Sequence, residues 1–515
     1  MKIKEEKKEN VFEKNVNDFF NLIFINYFNQ QLHKDKNILE DNINVPRELE
    51  MDLHEYSGFF FGMASDQTKY VGKPADKDGH ILVTGFPGSG KTMGLVIPTM
   101  KTWRGFQIIL DVKGDLYNYW KLLNQHSGKK IKVFRPDAYN GSCCRYDPFA
   151  FLRHDGENNL AGNARDLALA LIPLMPSVKD PIWIEAVQVF LTGVILYYFD
   201  LNFSFFDTMV QIQKSTITKI IEQVKKSENE TAKLILSKLS EVEAKVIGNT
   251  GMELSKLTPL VTDLAIFNAF SPDKDCDLLD WFDLNKETEP FDIILEIPEA
   301  NFERWEPMTL LMLNQLIKSL EQRPARTYNK DELPPILIML DEFPRLGKIS
   351  AIKNGLSTLR SRGVTFALFA QSLVNLSETY GSDTAKVILD LCSYQVILGV
   401  SDPTSQEYFS RAIGNVKSTQ KGSSFNFDPF SGIFTGFGIN INETREPIIY
   451  PHEHLTLKDI LVRNPYNGIC RVDKVLFYEH KAMFMKTFFL QNQCKKISVL
   501  TLVPAINDEG GGNYD

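Results

Sequence analysis

HILVTGFPGSGKT, residues His80 to Thr92, joins a short apolar strand to a complete phosphate-binding loop, and its reading decides the fold. Gly85, Gly88 and Gly90 let the backbone turn tightly, so that consecutive N–H groups converge on phosphate oxygens with no side chain in the way. Lys91 supplies a point charge for the β- and γ-phosphates, and Thr92 offers a hydroxyl to Mg2+. The apolar residues that follow, Met93 to Ile97, read as a helix whose N-terminal dipole adds to the attraction. Strand, loop and helix occur in the order a nucleoside triphosphate requires. The expected cofactor-binding set is therefore Gly85, Phe86, Pro87, Gly88, Ser89, Gly90, Lys91 and Thr92, with ATP and Mg2+ as the cofactors.

Further apolar strands surround this one. RGFQIILDVKGDLYNYW holds a strand at Phe106 to Leu110 that runs into Asp111, Lys113 and Asp115; KKIKVFRPD holds the next. Strands alternating with helical stretches imply βαβ units and a parallel α/β sheet. From about Asn158 to Asp275 the strand pattern disappears. Segments such as TITKIIEQVKKSENETAKLILSKLSEVEAKVI repeat apolar residues at helical spacing, which reads as an all-helical insertion. Strand character returns at FDIILEIP (Phe291 to Pro298), a helix follows at MTLLMLNQLIKSLEQ, and the chain reaches PPILIMLDEFPRLG.

That segment supplies the second half of the site. Ile336 to Leu340 form a buried strand with Asp341 and Glu342 at its carboxyl end, where open α/β sheets hold their ligands. Asp341 is expected to hold Mg2+ through water, and Glu342 to polarise the water that attacks the γ-phosphate. A third buried strand, Val364 to Ala370, ends in Gln371, placed to sense the γ-phosphate. Arg360 and Arg362 precede that strand, and either is a candidate arginine finger for a neighbouring subunit's nucleotide. The stretch from Lys417 to about Arg445, rich in Ser, Gly, Asn and Phe, reads as a long loop or a projecting hairpin.

Composition narrows the class. The chain has 515 residues, 43% of them hydrophobic, which suits a globular protein of two or three domains. Six cysteines are scattered without a CxxC pair, which fits a reducing compartment better than a disulfide framework or zinc site. A net charge of −8 argues against coating nucleic acid by bulk electrostatics, while leaving room for a locally basic inner surface. The run Lys129 to Lys132 is a plausible contributor to such a surface, although a solvated face explains it more simply. The apolar run from Asp18 to Gln31 is too short and too polar to span a bilayer and reads as a docking helix. The longer apolar stretch from Trp183 to Phe203 reads as a buried core helix.

Taken in order, these pieces resemble the type IV coupling proteins of bacterial conjugation and secretion, the TraG/TraD type. GSGKTMGLVIPTM is similar to the family's first motif, and LDVKGDLY to its Asp-x-Lys-Gly-acid motif. RYDPF resembles its Asn-Pro position with Asp147 substituted, and DPIWIEA its aromatic helix start. LDEFPRLGKI, RSRGVTFALFAQSL and TSQEYFSRAIG follow in the family's order, and REPIIYPHEHL returns to it near the end.

The resemblance implies a RecA-like P-loop NTPase domain with an inserted all-alpha domain. It further implies a hexameric ATPase that receives a relaxase and other relaxosome proteins bound to single-stranded DNA and feeds them to the secretion channel. Lys91, Thr92, Asp341, Glu342 and Gln371 carry over by position, Arg360 falls where the family's proposed arginine finger lies, and Asp111 and Lys113 match with a less settled role. The expected organisation is an N-terminal docking segment at 1–50, the nucleotide-binding domain at 51–155 and 285–500, the all-alpha domain at 156–284 and an acidic tail at 501–515. Family members usually begin with two transmembrane helices, and the first 79 residues here hold no such span. Either this is a soluble variant or a separate membrane protein supplies the anchor, in which case the Asp18 to Gln31 run is the docking element. The expectation is a cytoplasmic protein, peripheral at the inner face of the membrane, with a separate anchor protein as partner. Two competing readings are an FtsK-like double-stranded DNA translocase, for which the segment after Thr456 is too short and insufficiently basic, and a nucleotide-bound recruitment scaffold, against which the intact Glu342 argues.

Overall fold

Strands buried on both faces have near-continuous apolar sequences, and this chain uses them from its first sheet onward. The computed structural model describes residues 44–480, except 53–56, 65–68, 126–127, 138–142, 155–158, 175–180, 238, 240–250, 271–276, 327–332 and 428–433; for 418–443 it describes the backbone alone. The expected docking helix and acidic tail lie outside the described residues.

A small antiparallel sheet comes first, with β1 (Glu50–Asp52), β2 (Gly58–Met63) and β3 (Lys69–Pro74) in the order β1-β3-β2. All of β2 is buried, and Phe59, Phe61 and Tyr70 belong to the core on that side of the large sheet. The large sheet then takes β4 (Ile81–Gly85), β5 (Phe106–Asp111), β6 (Ile131–Phe134), β7 (Asp292–Glu296), β8 (Ile336–Leu340), β9 (Val364–Ala370) and β10 (Tyr394–Gly399). After it come a hairpin, β11 (Asn415–Phe427) and β12 (Phe434–Pro447), paired only with itself, and finally β13 (Ile460–Asn464) and β14 (Gly468–Val472).

The order across the large sheet is β14-β13-β10-β4-β9-β8-β5-β7-β6. The seven strands from β10 to β6 are parallel, while β13 and β14 add an antiparallel edge. The expected parallel α/β sheet is present. The stretch from Lys417 to Arg445 takes the hairpin form of the two that the sequence left open.

Two cores flank the sheet, one on the side of the small sheet and one on the side of the helical excursion. Between β6 and β7 the described residues form helices and turns, with no strand beyond an isolated bridge between Arg145 and Leu278. The helix Ile182–Asp200 has the length and composition of a membrane span, yet 67% of its apolar window is buried inside the protein. Gln188 donates to the Ile172 carbonyl at 2.7 Å, and Gly193 admits Leu236, whose Cγ would lie 2.6 Å from a Cβ there. Hydroxyl caps set the next helices. Ser204 accepts from the Asp207 N–H at 3.0 Å and Thr216 from the Lys219 N–H at 3.3 Å, each satisfying an N-terminal donor the helix leaves free.

Arg323, 1% exposed, ties the excursion back to the sheet. Its guanidinium donates to the carbonyls of Leu284, of Pro334 at 2.6 Å and of Arg362 at 3.1 Å, bringing the end of the excursion together with the approaches to β8 and β9. The helix expected from Met308 begins at Phe302 and carries Pro307 within it. The lysines of the KKIK run face acids: Lys129 lies 2.6 Å from buried Asp292, Lys130 lies 3.7 Å from Glu289, and Lys132 lies 3.5 Å from Asp283. Lys129 and Lys132 are thus largely buried against acids, which is neither the solvated face nor the basic inner surface that the sequence offered, and Lys130 alone is well exposed.

Candidate nucleotide site

Because β4, β5, β8 and β9 run parallel, their carboxyl ends come out on one edge of the sheet and carry Gly85, Asp111, Asp341 and Gln371 to the same place. The loop after β4 is held from both ends. A Cβ at Gly85 would lie 2.5 Å from Ser89 Oγ, and Gly88 and Gly90 adopt φ of 81° and 92°, left-handed values that disfavour a side chain. Phe86 donates its N–H to the Gly399 carbonyl at 3.1 Å and lays its ring where a Cβ on Gly399 would be, 2.5 Å from Cε1. Phe86 thereby anchors the loop to β10. One π-type turn, Thr92–Val96, leads from the loop into the helix Ile97–Thr102.

Lys91 is 7% exposed, donates to the Gly85 carbonyl at 2.6 Å and stands 3.9 Å from Glu342 Oε1. Burial holds its pKa below the ordinary lysine value, while Glu342 and Asp341 pull it upward. Asp341 is 9% exposed and accepts from the Glu342 N–H at 3.0 Å. Its pKa is pushed up to about 6, first by burial and then by the neighbouring Glu342 charge. Glu342 has φ 49°, one of two positive values among the described non-glycine residues, a conformation that costs about 1–2 kcal/mol. That backbone aims its carboxylate so that Oε2 accepts from Gln371 Nε2 at 2.9 Å. Lys91, Asp341, Glu342 and Gln371, drawn from three strands, therefore meet. The hydroxyls of Ser89 and Thr84, buried and without a partner among the described residues, lie in the same loop and its strand. Unpaired buried donors beside a poorly paired acid fit a bound polyanion with a cation.

Asp111 builds the adjoining loop. Buried to 1% exposure, it accepts from the N–H groups of Lys113 at 3.1 Å, Gly114 at 2.8 Å and Leu116 at 2.8 Å, which folds the turn and starts the helix Leu116–Asn124. Gly114, at φ 74°, leaves room for Glu296, whose Oε1 would lie 2.7 Å from a Cβ. Lys113 is left exposed, close enough for its charge to lower the pKa of both Lys91 and Asp341.

Arg360 is not brought to this cluster. It precedes the N-terminal end of β9 while Gln371 follows the other end, and seven strand residues separate those ends by about 20 Å. Its half-exposed side chain lies 4.0 Å from Asp78, which precedes β4. Arg362 is committed within the chain, donating to the Arg323 carbonyl.

Sequence reading gave no sign of the segment after β14. It crosses the phosphate loop, with Phe477 N–H donating to the Met93 carbonyl at 3.0 Å and Leu476 and Lys474 packed on Gly90. A contact between residues so far apart in the chain leaves no local pattern.

The model of the type IV secretion-system coupling protein DNA-binding domain matches residues 73–466. The VirD4 protein of Rhizobium rhizogenes is 25% identical over 402 residues, covering 74% of this chain and 55% of that protein. The conjugal transfer protein TraG of Escherichia coli is 22% identical over 428 residues, covering 75% and 65%. The chain thus spans between half and two thirds of the length of these relatives. Plasmid coupling protein TrwB, solved with the non-hydrolysable ATP analogue ADPNP, superposes with a TM-score of 0.61 at 16% identity over 82% of this chain and 91% of that one. TrwB solved with ADP and Mg2+ gives 0.59 at 16% identity over 79% and 87%. The shared fold is a RecA-like P-loop domain with an inserted helical domain. With the family model covering most of its length, this chain belongs to the type IV secretion-system coupling proteins.

Proposed function

We propose that the chain is an ATP-hydrolysing motor that takes a relaxase with its single-stranded DNA and drives the DNA into a conjugative type IV secretion channel. The observation that carries this reading is the meeting of Lys91, Glu342 and Gln371 at the carboxyl edge of the sheet. In it, residues 51–155 and 285–500 form the motor and 156–284 the all-alpha domain that recruits relaxosome proteins. TrwB's complexes with an ATP analogue and with ADP and Mg2+ support the choice of cofactors.

The loop from Gly85 to Thr92 cradles the phosphates, and Lys91 binds their β- and γ-oxygens. Thr92 and Asp341 would hold Mg2+. Among the described residues no three His, Cys, Asp or Glu side chains cluster as metal ligands, which suits an ion whose remaining ligands come from phosphate and water. When bound, Mg2+ offsets the charge on the β- and γ-phosphate oxygens. Glu342 orients the attacking water and accepts its proton, and Gln371 fixes the Glu342 carboxylate through their 2.9 Å bond. Arg360, exposed at the opposite edge, serves the site of the next subunit in a hexamer.

Steady-state ATPase assays on wild type and Glu342→Gln test this reading. The variant keeps its nucleotide affinity and loses about 100-fold or more in kcat. In wild type, single-stranded DNA raises the rate, with an effect that weakens steeply as salt increases. A wild-type chain with no ATPase activity, or a variant as active as wild type, overturns the assignment.

A further inference from the structure

The segment Asp473–His480 lies over the phosphate loop as a strap. It leaves β14 where the Met63 N–H donates to the Asp473 carbonyl at 3.3 Å, and it is pinned at the other end by the 3.0 Å bond from Phe477 N–H to the Met93 carbonyl. Val475 and Phe477 are buried, and the Phe477 ring meets Tyr119 edge to face at 5.9 Å. Between these anchors Lys474 is pressed on the loop: a Cβ at Gly90 would lie 3.0 Å from its Cε and 3.3 Å from its Nζ. Its ammonium is half-buried, and among the described residues it has no hydrogen bond and no carboxylate within 4.0 Å. Burial holds its pKa below the ordinary lysine value, with only the more distant Glu479 opposing.

A cation that is partly desolvated without a counter-charge is costly to keep unless an anion comes to it. The backbone it touches is the loop that recruits phosphate. We propose that Lys474 is a second phosphate-binding lysine of this site, contacting the α- and β-phosphates of the nucleotide, an inference that rests on reading Gly85–Thr92 as the ATP loop. The sheet order selects those phosphates. Glu342 and Gln371, on the γ-phosphate side, come from β8 and β9, whereas the strap arrives from β14, across β4 on the other side. A contact to the α- and β-phosphates is made with both ATP and ADP, so it sets affinity for both, and its effect on the chemical step is limited to the charge that builds up on the leaving β-phosphate.

The test uses the full chain with a fluorescent N-methylanthraniloyl ADP and the matching ATP derivative. Lys474→Met keeps the apolar stem on Gly90 and removes the charge, while Lys474→Arg keeps the charge. The expected result is about tenfold weaker binding of both nucleotides by Lys474→Met, the loss of one charge-assisted contact. KM for ATP rises by a similar factor, kcat at saturation falls by less than that factor, and Lys474→Arg binds within about twofold of wild type. A wild type that hydrolyses ATP beside a Lys474→Met variant that binds ADP equally well overturns the assignment and leaves the hydrolytic reading standing. A Lys474→Met variant that loses kcat with unchanged ADP affinity also overturns it, and a wild type that binds neither nucleotide overturns both.

Discussion

Replacing Asp111 with asparagine distinguishes a scaffolding role for the LDVKGDLY motif from a chemical one. The carboxylate is 1% exposed and receives three backbone N–H groups, from Lys113 and Gly114 on Oδ1 and from Leu116 on Oδ2, at 3.1, 2.8 and 2.8 Å. Asparagine retains the oxygen that serves the first two. It turns its NH2 toward the Leu116 N–H, so that a donor faces a donor inside the protein. Losing a hydrogen bond to a charged group costs about 1.5–3 kcal/mol. Part of that is returned, because burial already works against the charge and raises the Asp111 pKa despite the three donors. The net expectation is about 2 kcal/mol, confined to the turn and the first residues of the helix Leu116–Asn124. Amide hydrogen exchange by mass spectrometry reads this directly. Exchange at Lys113, Gly114 and Leu116 speeds up about 30-fold, since each 1.36 kcal/mol of local opening is a factor of ten, and the β5 amides stay as protected as before. Unchanged exchange in the turn together with lost ATPase activity would refute the scaffolding account and place Asp111 in the chemistry.

Two further outcomes follow from the opposite edge of the sheet. Arg360→Ala and Lys91→Ala each abolish ATPase activity alone, and mixing the two regains part of it, because a mixed ring assembles some sites with both residues intact; a mixture as inactive as its components counts against a finger supplied by the neighbouring subunit. His80, fully buried, donates from Nε2 to the Leu356 carbonyl at 2.7 Å and accepts from the Phe366 N–H at 3.1 Å, and burial lowers its pKa to about 4. A lowered pKa leaves this contribution whole above the unfolded value of about 6.5 and removes it as pH falls toward 4. Between pH 7.5 and 5, wild type therefore loses about 2 kcal/mol more stability in chemical denaturation than His80→Gln does; equal losses would contradict a neutral buried imidazole.

The legible parts of the site were those with a local cause. A phosphate loop needs glycines and a lysine at fixed spacing, so Gly85 to Thr92 announces itself, and a strand buried on both faces that stops at acids announces Asp341 and Glu342 equally well. The central strands were readable for the same reason, each being a short apolar run between polar turns. The small sheet β1-β3-β2 escaped notice because its strands draw on contacts with the large sheet, and the edge pair β13–β14 because its register depends on β10.

Sequence by itself determined the nucleotide loop, the two acids that end β8 and the parallel character of the strands, since those follow from backbone geometry and hydrophobic pattern within windows of a dozen residues. Tertiary structure alone decided which charges meet. It joined Gln371 to Glu342 across two strands, set Glu342 in a left-handed conformation, assigned Asp111 to the backbone of its own turn, tied Arg362 to Arg323 while leaving Arg360 exposed, and laid Lys474 over Gly90. The physical reason is range. Hydrogen bonds and charges act over a few ångströms in space, and the chain brings such partners together only after the sheet has fixed its strand order.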